Sequence, residues 1–195
     1  MRAPAATITG VNVYLRPPRL SDAKAFRAAV RASVALHRGW TSAPAAPKRY
    51  ARFVRRYATR GKLPTHAGFM VFRRADNALV GVYNFSEIVR GAFQSTYLGY
   101  FAFAPLAGRG LMSEGMALAL DIAFRKFKLH RVEVNIQPNN VRSLALATRS
   151  GFTRVGYSRR YVKISGRWRD HVRFAMLAED WRLLRKKLRF APMDT

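Results

Sequence analysis

An ordered succession between Tyr97 and Phe152 constrains this chain more than any other feature. The apolar run Tyr97-Leu-Gly-Tyr-Phe-Ala-Phe103 predicts a strand and leads into Gly108-Arg109-Gly110. A helical stretch follows over Met112 to Phe127, then a second strand over Arg131 to Gln137. After it come Pro138-Asn139-Asn140 and Ser143, and the unit closes on Ser150-Gly151-Phe152. A crossover helix between two strands of one sheet makes those strands parallel. A glycine-bracketed loop that opens a helix presents backbone N–H groups and a helix N-terminus to an anion. The Asn-x-x-Ser on the next strand–helix junction adds polar groups beside it. Two such junctions side by side predict a phosphate-bearing cofactor.

The flanking segments supply the rest of a single domain. Val11 to Leu15 reads as a first strand, and Ser21-Asp22 can cap a helix that carries Ala25, Phe26, Ala29 and Val30 on one face. Trp40 to Pro47 reads as a loop. From Lys48 to Arg60, Tyr50, Phe53, Val54 and Tyr57 recur at helical spacing as a core-facing stripe, with Arg49, Arg52, Arg55 and Arg56 on the remaining surface. Phe69 to Arg73 and Leu79 to Glu87 read as strands joined at Asp76-Asn77. Val155 to Ile164 and Arg167 to Met176 read as a hairpin around Ser165-Gly166, and Glu179 to Phe190 as a helix with Trp181, Leu184 and Leu188 on one face.

Charge bounds the partners. The chain of 195 residues carries 36 Lys plus Arg against 10 Asp plus Glu, a formal net charge of +26. Such an imbalance bears on partners and solubility rather than on fold. The excess is spread along the chain, so it reads either as a set of solvated faces or as affinity for a polyanion, with RNA as the favoured partner. Cysteine is absent, which removes disulfides, thiol nucleophiles and Cys-based zinc sites. No secretory signal pattern opens the chain and no apolar run reaches the length of a membrane span, so a cytoplasmic protein with no membrane partner is expected.

At the Gly108 loop and the Asn140 junction the sequence resembles the GNAT superfamily of acetyltransferases. That superfamily carries a Q/R-x-x-G-x-G/A loop, matched here by Ala107-Gly108-Arg109-Gly110-Leu111-Met112, with its first polar side chain and its last small residue replaced. The resemblance sharpens to the RimJ branch, the N-terminal alanine acetyltransferases of ribosomal proteins. It is carried by Asn84-Phe-Ser86, Val89-Arg90-Gly91, Tyr97-Leu-Gly-Tyr100, Gly108-Arg-Gly-Leu-Met112 and Gly166-Arg-Trp-Arg-Asp-His171. The resemblance implies an α+β (mixed α/β) fold. Its central sheet would be twisted and mostly antiparallel, with two neighbouring strands splayed to hold acetyl-CoA and helices on both faces. The acetyltransferase domain would span 8–178, and 179–195 would form a basic helical tail.

The same resemblance implies acetyl-CoA as cosubstrate, with no metal, held by Phe101, Ala102, Phe103, Gly108, Arg109, Gly110, Leu111, Met112 and Asn140. Many relatives place a tyrosine seven residues after the junction asparagine to protonate the departing thiolate. Ala147 stands there in this chain, and Ser143 is the group expected to face the sulfur. Asn140 is also a good N-cap, a role compatible with a pantetheine contact. The implied reaction moves the acetyl group to the N-terminal α-amine, alanine above all, of a ribosomal protein, with the basic surface meeting a ribosomal particle or its RNA.

Two alternatives remain open from the sequence. One is an acetyltransferase for another small amine or peptide N-terminus; the other is a ribosome-assembly or RNA-binding factor with secondary transferase activity. Reference pKa values leave roughly 10% of an α-amine but only about 0.04% of a lysine unprotonated at neutral pH, which favours the α-amine where no strong base is at hand. Glu87, Glu114, Glu133 and Asp170 are the candidates for a remote base, and none is singled out. The four histidines show no metal-ligand spacing, and His171 reads either as a packed residue or as part of the substrate mouth.

Overall fold

The structure, a computed structural model, describes residues 7–57 and 64–187. Eight strands form one sheet: β1 (Ile8–Thr9), β2 (Val13–Arg16), β3 (Ala67–Arg73), β4 (Leu79–Val89), β5 (Ser95–Ala102), β6 (Arg131–Ile136), β7 (Thr153–Ile164) and β8 (Arg167–Leu177). Their spatial order is β1-β2-β3-β4-β5-β6-β8-β7. Every pairing is antiparallel except β5 with β6, the two strands that the crossover helix joins. The mixed, mostly antiparallel α+β architecture implied by the resemblance is the one observed.

Helices α1 (Ala23–Ala32), α2 (Val34–His37) and α3 (Pro47–Tyr57) lie on one face. There Phe26, Val30, Tyr50, Phe53 and Val54 pack with Met70, Val82 and Phe103 of the sheet side in a cluster of their own. Helices α4 (Leu111–Asp121), α5 (Val141–Arg149) and α6 (Ala178–Lys187) lie on the other. Their Met116, Leu118, Leu146, Ala147 and Trp181 join Val71, Tyr83, Phe85, Leu98, Val132 and Val134 in the principal core. Alternation along each strand sorts side chains between these layers. Trp181 is buried and Leu184 packs against the same cluster, so the helix opening the basic tail is anchored in the principal core; Leu188, Arg189 and Arg60 lie outside the described residues.

Local structure departs from the sequence reading in three places. The first strand is shorter, Val13–Arg16, and a brief β1 precedes it across the turn at Gly10–Asn12. Ser21 and Asp22 do not cap α1 through side-chain bonds. Asp22 instead closes a 3-10 turn by accepting from the Arg19 N–H at 2.8 Å, and it pairs with Arg16 at 2.6 Å. The helix expected over Met112 to Phe127 is α-helical only to Asp121, then widens into a π turn over Ile122–Lys126. The buried Asp121 carboxylate sits at that change of pitch. It accepts from the Trp181 indole at 3.0 Å and from Arg185 at 2.8 Å, tying α6 to α4.

Candidate functional site

The site begins where the sheet stops being a sheet. β5 and β6 pair in parallel only through Ser95–Arg131, Thr96–Val132 and Tyr97–Glu133. Beyond Tyr97, β5 runs on to Ala102 and β6 to Ile136 without pairing to each other, so the strands part and leave a wedge open at their C-terminal ends. Backbone groups that turn toward the wedge have no ladder partner there, and polar groups in that state call for another partner. The sequence placed both strands; the parting is a property of the assembled sheet.

The outer end of the wedge is the loop between β5 and α4. Gly108 and Gly110 hold φ of +80° and +78°, a left-handed conformation that other residues adopt at a cost. A Cβ on either would meet nothing within 4 Å, so these glycines serve backbone conformation and leave the approach open. Gly108, Arg109 and Gly110 are all exposed. The Gly110 carbonyl takes the N–H groups of Ser113 at 2.9 Å and Glu114 at 3.2 Å, while Leu111 and Met112, at the first turn of α4, have no intrahelical acceptor. That turn therefore points free donors and the positive end of the helix dipole at the wedge, an arrangement that fits a polyanionic group such as a pyrophosphate. Met112, where a small residue was expected, lays its side chain over Gly81: its Sδ stands 2.5 Å from where a Gly81 Cβ would be. Its carbonyl accepts from Tyr83 Oη at 2.6 Å, so what Met112 turns toward the wedge is its N–H.

The inner wall is made by the start of α5. Asn140 caps that helix, its Oδ1 accepting from the Ser143 N–H at 3.2 Å. The Ser143 carbonyl accepts from Tyr100 Oη at 3.1 Å, so a tyrosine of β5 reaches across the wedge to α5. Burial raises the pKa of this phenol well above its usual value. Ser143 itself is half-buried, and its side chain lies beside the Tyr100 phenol, a hydrogen bond that offsets part of the rise that burial causes there. Ala147, one turn further, is fully buried and brings no hydroxyl. The sequence reading did not single out Tyr100. The signal was present, because alternation puts Tyr100 with Leu98 on the α4–α5 face.

Of the residues expected to hold acetyl-CoA, Phe101 and Phe103 turn their side chains to the α1–α3 side of the sheet. The Phe103 ring is fully buried in the α1–α3 cluster, and Phe101 lies edge-on to both His37, at 5.4 Å, and Phe103, at 5.6 Å. His37, also missed from the sequence, reaches the Ala102 carbonyl through Nε2 at 2.8 Å.

Glu114, Glu133 and Asp170 are already engaged. Glu114 accepts from the Asn12 and Val13 N–H groups at 2.8 and 3.3 Å and fastens β2 to α4. Glu133, buried on β6, is held between Arg131 at 2.7 Å and Arg173 at 3.2 Å. Asp170 accepts from Tyr157 Oη at 2.6 Å and the Arg160 N–H at 2.7 Å, bonds that hold its pKa low. Glu87 is exposed and lies 3.5 Å from His66. His171 is packed and not open at a mouth: burial lowers its pKa, and its Nδ1 stands 3.0 Å from the Arg169 carbonyl. Beside it, Tyr97 Oη and Tyr161 Oη are 3.4 Å apart, and that contact, with partial burial, pushes the Tyr97 pKa up to about 12. Among the described residues no group of three His, Cys, Asp or Glu side chains is placed to hold a metal, and no helix is long and apolar enough to cross a membrane.

Known proteins resemble this chain in sequence and in fold. The probable N-acetyltransferase YjcK of Bacillus subtilis (strain 168) is 38% identical over 112 residues, 57% of this chain and 62% of its own length. The [ribosomal protein uS5]-alanine N-acetyltransferase of Escherichia coli (strain K12) is 41% identical over 113 residues, 58% of each chain. The chain thus spans about three fifths of the length of the curated relatives it matches. Mycobacterium smegmatis RimJ in complex with CoA-disulfide has the same fold, with a TM-score of 0.79 at 24% identity over 92% of this chain and 94% of that one. The profile described as Acetyltransferase (GNAT) domain matches residues 12–153, which take in the parted strands, the glycine loop and the capped α5. On that match the chain belongs to the GNAT acetyltransferase family.

Proposed function

We propose that this protein transfers the acetyl group of acetyl-CoA to the N-terminal α-amine, alanine above all, of a ribosomal protein. The observation that carries the reading is the wedge that opens beyond Tyr97 and Glu133, with the Gly108–Gly110 loop at its outer end and Ser143 on its inner wall. Acetyl-CoA supplies the activated acyl thioester. The N–H groups from Gly108 to Met112 bind its pyrophosphate, with Arg109 free to add a guanidinium. The parted backbone of Phe101–Phe103 and the Asn140 amide line the pantetheine. The Ser143 hydroxyl, beside the Tyr100 phenol, donates to the sulfur as the C–S bond breaks. A thiol pKa near ~8.5 makes that leaving group tolerable with one hydrogen bond.

The E. coli relative's named substrate supports an alanyl ribosomal-protein terminus. A ribosomal particle as docking partner is supported by the helical layer beside the site. Between Ala23 and Tyr57 stand Lys24, Arg27, Arg31, Arg38, Lys48, Arg49, Arg52, Arg55 and Arg56, with no carboxylate in that stretch. A polyamine reading, by contrast, wants free carboxylates, and those near the site are engaged.

The test is the purified chain with acetyl-CoA and two peptides, one with a free N-terminal alanine and no lysine, one with a blocked N-terminus and an internal lysine. Thiol release and mass spectrometry should show acetylation of the first alone. Ser143→Ala should lower turnover more than acetyl-CoA affinity. Acetylation of the lysine in preference to the α-amine would overturn the reading.

A further inference from the structure

The acyl acceptor must reach the wedge from the face of the sheet opposite α4, and one row of residues there is built differently from its surroundings. Asn84 on β4 pairs with Gly99 on β5, and Gly68 on β3 pairs with Asn84. Two steps beyond the last parallel pair, Tyr97–Glu133, stand Gly99 and Asn135, which brings Asn135 to the far side of the opening from Gly99. All three face away from the principal core, since their strand neighbours Tyr83, Phe85, Leu98, Tyr100, Val134 and Ile136 face into it. The row is therefore Asn84, Gly99, Asn135, lying where β5 and β6 begin to part.

Two facts about this row are unexplained by packing. Both asparagines keep a buried Oδ1 without a hydrogen-bond partner. Native proteins satisfy nearly all such atoms, and an exception calls for a further partner. Gly99 is exposed, its φ is not in the left-handed region, and a Cβ built on it would find its nearest heavy atom, the Asn84 carbonyl oxygen, 4.0 Å away. Neither strain nor crowding within the protein requires a glycine in this strand, where any side chain packs better. Room for something outside the protein does.

We propose that Gly99, Asn84 and Asn135 form the acceptor subsite, which takes the N-terminus of a peptide; this rests on the function proposed above. A peptide N-terminus carries N–H donors on its amine and, three bonds away, a carbonyl acceptor. A primary amide matches both, with Oδ1 accepting from the amine and Nδ2 donating to the first peptide carbonyl. Rotation about the terminal torsion exchanges the two ends of each amide at little steric cost, so either asparagine can serve either group. A lysine side chain or a polyamine offers the amine without the carbonyl and satisfies half of the pair. The bare Gly99 lets the amine pass over the strand into the wedge.

The surroundings also bear on protonation. Asn135 pairs across the sheet with Arg173, whose guanidinium shares Glu133 with Arg131, so the cluster carries net positive charge. Positive charge beside an amine favours its neutral form. An α-amine that releases its proton to bulk water on entering is held ready without a dedicated carboxylate base.

The experiment is calorimetric titration of the full chain, saturated with CoA, with three probes: an N-terminal-alanine hexapeptide, the same peptide with its α-amine acetylated, and propylamine. Wild type should bind the free-amine peptide most tightly. Gly99→Val should weaken that peptide at least tenfold while CoA affinity and Tm hold, because Gly99 is exposed and an added Cβ meets nothing nearer than 4.0 Å. Asn84→Leu and Asn135→Leu, near in volume but without the amide, should each shrink the preference of the free-amine peptide over both other probes. A wild type that prefers the free amine, with variants that keep the preference, sinks this subsite alone. Loss of CoA affinity together with peptide affinity in all variants shows a structural role and sinks it too. A wild type that binds CoA but discriminates among none of the probes removes the proposed function and the subsite together.

Discussion

Replacing Gly110 by alanine separates what the loop does for the fold from what it does for a ligand. Gly110 sits at φ +78°, ψ −15°, immediately before α4. An L-residue in that conformation costs roughly 1–2 kcal/mol, partly offset by the lower chain entropy that alanine brings to the unfolded state, about 0.4–1 kcal/mol. No steric contribution is added, because the new Cβ meets nothing within 4 Å. The net is about 1 kcal/mol, or a fall in Tm of roughly 2–4 °C for a chain of this size. The ligand side is larger. If the strained loop relaxes, the N–H groups of Gly110 and Leu111 turn away from the phosphates. One lost hydrogen bond to a charged group is worth about 1.5–3 kcal/mol, and at 1.4 kcal/mol per decade the acetyl-CoA Kd rises roughly 10- to 140-fold. Asparagine enters the left-handed region more readily than alanine, so Gly110→Asn should recover part of both losses. Differential scanning fluorimetry and calorimetric titration read the two quantities. A lowered Tm with unchanged Kd would show that the loop is not the phosphate site. An unchanged Tm would show that the positive φ is not a constraint.

Three further outcomes follow from charges the fold has placed. Asp121→Ala removes the acceptor of the Trp181 indole and the carboxylate beside Arg185, and should cost about 2–4 kcal/mol, discounted from the buried-pair value because Arg185 is partly exposed; an unchanged Tm would show that α6 is not held through this carboxylate. His171 has its pKa lowered by burial, so its contribution to stability is present above the unfolded value near ~6.5 and is lost as pH falls from there through the lower folded value. Denaturant melts from pH 7.5 to 5 should show a shallower acid-side loss in His171→Gln, and parallel profiles would refute this. Arg49, Arg52 and Arg56 line one groove on α3, with Pro44, Phe53 and Tyr57. If a single-stranded RNA lies along it, their triple alanine variant should lower the slope of log K against log salt by about 2, at roughly 0.7 per phosphate contact; an unaltered slope would exclude that groove.

Much of this protein was legible locally. The strands around Phe69, Leu79 and Tyr97, the aromatic stripe of α3 and the final hairpin followed from alternation and helical spacing, which depend on neighbours a few residues apart. So did the cap by Asn140 and the glycine loop, because a cap and a positive φ are each settled within one turn of chain. The misreadings share one cause. Asp22 was assigned to α1 by its position, but Arg16 of β2 competes for its carboxylate, and that neighbour is supplied by the folded sheet. Helix α4 widens to a π turn at Asp121, the residue that binds Trp181 of a helix 60 residues away.

The site divides along the same line. Sequence alone determined that a glycine loop and a capped helix follow two parallel strands, because backbone preference and short-range hydrogen bonding are encoded residue by residue. Only the tertiary structure decided that those strands part after Tyr97 and Glu133, and that Phe103 turns into the core. It alone set Glu114, Glu133 and Asp170 into bonds and aligned Asn84 and Asn135 across Gly99. Those outcomes depend on strand register and on contacts between residues distant in sequence, and register is fixed by the packing of the whole sheet against its two helical layers.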